Sequence, residues 1–149
     1  MQVRRVVTAH GSAGESMIES DGAPAVYTAP VVPSGVTVSV LWVTHSTPPS
    51  LEAGEDVSDP AWRVGPLPAS GTRWSMIEIE PGANARGMHR TDTIDYVQVQ
   101  SGEIWLVMGG GDSVRLSAGD MVVQRGTEHR WENRSDQPCV MTSVMLSTI

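Results

Sequence analysis

Gly119-Asp120-Met121-Val122-Val123-Gln124-Arg125-Gly126-Thr127-Glu128-His129-Arg130-Trp131-Glu132-Asn133 is the stretch on which the fold turns. A glycine opens it, a short β-branched run follows, Gly126 interrupts, and an alternating segment closes it. Successive side chains of a strand face opposite sides. Arg130, Glu132 and Arg134 share one parity and face water; His129, Trp131 and Asn133 share the other and point inward. An imidazole directed into an interior is costly unless it has a partner or a task.

Upstream, the chain reads Gly82-Ala83-Asn84-Ala85-Arg86-Gly87-Met88-His89-Arg90-Thr91-Asp92-Thr93-Ile94-Asp95-Tyr96-Val97-Gln98-Val99-Gln100-Ser101-Gly102-Glu103. Here the inward set is Asp95, Val97 and Val99, with Gln98 and Gln100 outside, and His89 shares parity with Asp95. Between the two stretches, Gly109-Gly110-Gly111-Asp112 separates two strand-like runs and reads as a hairpin turn, not a phosphate cradle. The same strand grammar extends outward. Strands are expected over Val36 to His45, Thr72 to Glu80, Ile94 to Gln100, Glu103 to Met108, Ser113 to Leu116, Met121 to Gln124, His129 to Asn133 and Pro138 to Ser147. Weaker ones are expected over Val3 to Thr8 and Ala25 to Val32. Short strands split by turn signals, with almost no helical periodicity, indicate an all-β sandwich or barrel. Residues 46–71 break the pattern with prolines and acidic residues. A loop of this length is uncommon in a compact domain and is often a lid; Trp62 in its middle is a candidate anchor over a pocket.

Composition narrows the function. The chain has 149 residues, which suits one domain, and a net charge of −7. All ten basic residues are arginine, so Schiff-base lysine chemistry is excluded. An acidic chain without a basic cluster repels phosphate backbones, so no nucleic-acid partner is expected. No apolar run approaches the roughly 20 residues of a membrane span, no apolar segment follows the N-terminal arginines as in a secretory signal, and the single Cys139 forms no intrachain disulfide. The expectation is a cytoplasmic protein with no membrane partner.

The two quoted stretches resemble the paired motifs of the cupin superfamily. The first family motif runs glycine, two histidines one residue apart, glutamate and glycine. The second runs glycine, proline, glycine, histidine and asparagine. Gly82 and Gly102 fall in place, and Asp95 takes the glutamate slot. Met88 and Arg90 occupy the histidine slots, with His89 between them; Gly126, His129 and Asn133 match, and Gln124 stands for the proline. The phrases around His89 to Tyr96 and Val122 to His129, and the opening Arg4-Arg5-Val6-Val7-Thr8, are similar to a subgroup of small stand-alone cupins, some from biosynthetic or aromatic-degradation clusters.

The resemblance implies a double-stranded β-helix, the cupin jelly-roll barrel, in a single domain. Its barrel core would span about 72–147, with N-terminal strands in 1–45 and a proline-rich acidic loop over 46–71. Its mouth would gather His89, Asp95 and His129 around a small molecule. Two imidazoles in an apolar cavity suit acid/base work such as elimination, decarboxylation, isomerisation or cyclisation, with Asp95 orienting His89. The expected substrate is apolar and oxygenated. Gln124 and Trp131 are expected to line the pocket, and Arg90 either faces solvent or clamps a substrate carboxylate. The metal-binding set is reduced. His89, Asp95 and His129 still make a two-histidine, one-carboxylate group that suits an Fe(II)-dependent oxygenase, with Mn, Ni or Zn as other divalent candidates. The reading leans towards no cofactor. A non-catalytic binding cupin is the remaining alternative, since the fold hosts enzymes and binders alike. A homodimer is expected, with the N-terminal strand free to cross to a neighbour.

Overall fold

Strand Thr72–Ile79 shows how alternation builds the interior. Arg73, Ser75, Ile77 and Ile79 turn inward, while Trp74 on the opposite parity is exposed. The structure is a computed structural model and describes residues 2–28, 32–51 and 69–148; among them it contains strands and no helix. In chain order the strands are β1 (Arg5–His10), β2 (Ser16–Gly22), β3 (Val26–Tyr27), β4 (Val36–Thr44), β5 (Thr72–Ile79), β6 (Thr93–Ser101), β7 (Glu103–Met108), β8 (Ser113–Ser117), β9 (Met121–Arg125), β10 (His129–Glu132) and β11 (Cys139–Ser147). From β4 onward these agree with the expected strands to within a residue at either end.

The N-terminal region differs from expectation. The first strand lies two residues further along, at Arg5–His10. It pairs in a separate two-stranded sheet with β2, a strand whose polar sequence Ser-Met-Ile-Glu-Ser-Asp-Gly gave no alternation to read. Of the strand expected over Ala25 to Val32, the described residues hold Val26–Tyr27 as strand, and residues 29–31 lie outside the described residues. Trp62 and most of the 46–71 loop lie outside the described residues.

The main body is a six-stranded sheet in the order β3-β4-β5-β11-β6-β9 and a three-stranded sheet in the order β10-β7-β8. Their inner faces meet in one apolar cluster: Ile79, Val97, Val99, Cys139 and Met141 from the larger sheet, and Ile104, Leu106, Leu116 and Trp131 from the smaller. Cys139 is wholly buried there, and burial, with a smaller push from Glu103, raises its thiol to about 11, so it fills core as a small apolar group.

Residues 82–89 run antiparallel to β10 and extend the smaller sheet. Gly82 N–H donates to Asn133 O (2.9 Å), Ala85 N–H to Trp131 O (3.2 Å), and His89 and His129 exchange both backbone bonds at 2.9 Å. Two motif glycines have a steric reason. Gly102, at the turn from β6 to β7, has φ +75°, and a Cβ there would sit 2.5 Å from Pro138 O; Gly126 has φ +62° and abuts Thr91 O.

Candidate functional site

The backbone bridge between His89 and His129 places their side chains together. The ring centroids are 4.5 Å apart, tilted by 46°, and Trp131 meets His129 edge-on at 5.9 Å. Each imidazole is fixed by a carbonyl two residues upstream. His89 Nδ1 lies 2.8 Å from Gly87 O, and His129 Nδ1 lies 2.9 Å from Thr127 O. A carbonyl only accepts, so Nδ1 carries the proton in both rings. The neutral tautomer then leaves the Nε2 lone pair available on each.

Both rings line a cavity of about 230 Å³ between the sheets, with Asp95 and Trp131 also in its wall. Burial chiefly lowers the His89 pKa below the usual imidazole value; the Gly87 carbonyl opposes this, and the charges of His129 and Arg86 reinforce it. Burial likewise holds the Asp95 carboxyl above the ordinary carboxylate range, against the Thr93 hydroxyl and the positive charges of His129, Arg73 and His89. Asp95 Oδ1 is buried and makes no hydrogen bond within the described structure. The expected task of Asp95, fixing the tautomer of His89, falls instead to the Gly87 carbonyl.

Other expected site residues lie elsewhere. Gln124 is buried and pairs in register with Asp95, but its side chain engages the Thr127 hydroxyl and carbonyl and does not line the cavity. Arg90 is exposed and borders a separate shallow pocket with Arg125 on the rim. Asn133 holds the scaffold: its Nδ2 donates to Ile79 O (2.9 Å) and Gln137 O (2.8 Å), while its Oδ1 accepts from Ser135 N–H and hydroxyl.

Two cavity residues escaped the sequence reading, Arg73 and Arg86. Arg73 stands at inward parity on β5, and burial lowers its pKa while the Asp95 charge raises it. The signal was its shared parity with Ser75, Ile77 and Ile79, masked because the outward set contains Trp74 and Met76. Arg86 lies in the spacer of the first motif, where strand parity offers no guide.

The model of the Cupin domain family matches residues 75–145. The chain is 33% identical over 135 residues to the phomopsin biosynthesis cluster protein C' of Diaporthe leptostromiformis, spanning 88% of this chain and 70% of that one. It is 32% identical over 96 residues to a cupin-domain-containing oxidoreductase of Neurospora crassa, spanning 64% of this chain and 48% of that one. A sugar phosphate isomerase of the cupin superfamily from Silicibacter pomeroyi shares the fold, with a TM-score of 0.56 at 19% identity over 84% of this chain and 72% of that one. The chain belongs to the cupin family.

Cupins often bind a metal ion. Among the described residues, no group of three or more His, Cys, Asp or Glu side chains is drawn together as an ion would need. The family's two first-motif histidine positions hold Met88 and Arg90, both exposed, and two guanidiniums line the cavity. This donor set does not fit a cupin metal centre. Among the described residues no helix is long and apolar enough to cross a membrane.

Proposed function

We propose that this cupin binds a small, apolar, oxygenated molecule and moves protons on it, as a lyase, isomerase or cyclase does. The observation that carries the reading is the histidine pair: two imidazoles 4.5 Å apart in a mostly apolar cavity, each held with Nε2 as its basic atom. Burial holds the His89 pKa below the usual imidazole value, so its Nε2 is free to accept a proton at neutral pH. The relatives assigned to biosynthesis clusters support a small-molecule role.

The test uses proton exchange, which needs no knowledge of the final product. Wild-type protein is incubated in D2O with a panel of small carbonyl acids and esters, and loss of the α-proton is followed by NMR. His89→Gln and His129→Gln should each slow exchange by about two to four orders of magnitude, the usual worth of general acid–base catalysis, while the fold survives. A panel that binds but exchanges no proton would retire the enzymatic reading in favour of a binding cupin.

The oxidoreductase relatives raise a rival reading, a divalent ion on His89, Asp95 and His129, against which the spread of these side chains counts. Elemental analysis separates the two. Near one equivalent of Fe, Mn, Ni or Zn, lost on substitution of either histidine, would overturn the acid/base account.

A further inference from the structure

Asp95 is left without the task expected of it, because the Gly87 carbonyl fixes the tautomer of His89. Its carboxylate is nonetheless held in place. It stands at inward parity on β6, is 7% exposed, and lines the cavity with both imidazoles. The Thr93 hydroxyl supports its charged form, and the Thr91 hydroxyl lies 2.8 Å from that of Thr93. A short hydroxyl chain thus secures the carboxylate from one side. Oδ1 is buried and accepts no hydrogen bond among the described residues. A buried acceptor without a donor is costly, and the cost is recovered when a donor arrives.

The surroundings decide what kind of donor that is. Strand register sets Arg73, Met145 and Asp95 in one inward row across β5, β11 and β6. Arg73 answers the Asp95 charge across Met145, and Arg86 lines the same cavity. A cationic ligand would meet these two guanidiniums, and an anionic one would meet the carboxylate itself. The next inward row is Ser75–Ser143–Val97, whose hydroxyls both donate and accept, and the one after is Ile77–Met141–Val99, where the wall joins the apolar core. The remaining polar atoms, Nε2 of His89 and of His129, are acceptors like Asp95 Oδ1.

We infer that Asp95 selects the ligand: its free oxygen takes the hydrogen bond of a hydroxyl on an uncharged molecule whose apolar body lies toward Ile77 and Met141. The assignment rests on reading this cavity as the ligand site served by the histidine pair.

The experiment compares 4-ethylphenol, its methyl ether 4-ethylanisole, and 4-ethylbenzoate, by calorimetry and by the NMR signals of His89 and His129. At neutral pH the wild type should bind the phenol at least about tenfold more tightly than the ether, the usual scale of a charge-assisted hydrogen bond, and the benzoate no more tightly than the ether. Asp95→Leu should remove the preference for the phenol without lowering ether affinity. Asp95→Asn keeps the shape and an acceptor oxygen, guards against a folding defect, and should retain part of the preference. Equal binding of phenol and ether by the wild type, with both moving the imidazole signals, overturns the assignment to Asp95 and leaves the cavity reading standing. So does a preference that survives Asp95→Leu intact, or tighter binding of the benzoate than of the phenol. Binding by none of the three overturns the assignment and the cavity reading together.

Discussion

Asp95 sets local stability against the site. Its carboxyl is buried with one oxygen unpartnered, and its pKa is raised chiefly by desolvation. A folded-state pKa above the unfolded one makes a contribution that is full below the unfolded value of 3.8 and is lost as pH rises through the folded value. At neutral pH the ionised group therefore weakens the fold. Asp95→Asn should raise the thermal midpoint at about pH 8, and the gain should shrink towards nothing near pH 4. An unchanged or lower midpoint at pH 8 would show that the positive neighbours outweigh burial. His89 has the opposite sign. Its lowered pKa gives stability that is full above the unfolded value of 6.5 and lost as pH falls through the folded one. By the same shift, the D2O exchange rate should hold its plateau below pH 6.5 and fall only under the depressed value. A fall centred at or above 6.5 would assign the base elsewhere.

At the scale of elements, two motif residues act through the turns they close. Asn133 joins the end of β10 to Ile79 on β5 and to the 135–137 turn through four hydrogen bonds, two donated by Nδ2 and two accepted by Oδ1. Asn133→Ala leaves buried partners unsatisfied and should cost about 1 to 3 kcal/mol, read from denaturant unfolding, with no specific loss of ligand affinity. Gly102→Ala should be comparably damaging, because its Cβ would meet the Pro138 carbonyl at a left-handed backbone position. These turns explain why the barrel strands were legible in the sequence. Period-two alternation and glycines fixed in spacing are local signals: β6, β10 and β11 alternate, and Gly102, Gly119 and Gly126 mark turns between strands. The hairpin strand β2 carries neither. The histidine pair was legible by parity and motif spacing. Arg73 was not, since an arginine on a strand reads as a solvent-facing residue until register places Met145 and Asp95 beside it.

For the whole molecule, the outer face of the six-stranded sheet bears on assembly. Register aligns Trp42, Trp74, Val144, Tyr96 and Val123 in one row across β4, β5, β11, β6 and β9. Trp74, Tyr96 and Val123 are 46%, 51% and 61% exposed, which is unusual for side chains of this size and continuity. At the usual strand spacing the row spans roughly 19 Å. A row of this kind is its own complement about a two-fold axis, so a second copy would cover it without a second kind of surface. The N-terminal hairpin points the same way. Among the described residues β1 and β2 pair only with each other, Val6, Met17 and Ile18 are exposed, and a lone two-stranded hairpin is marginal in water. A neighbouring subunit would give those side chains a surface to pack on. Sedimentation equilibrium should therefore report a dimer for the wild type. The double variant Tyr96→Glu/Val123→Glu should dissociate it to monomers with its circular dichroism unchanged, since both side chains lie outside the core. A wild type that is monomeric at every concentration would sink this assignment. A double variant that stays dimeric would move the interface from the sheet face to the hairpin.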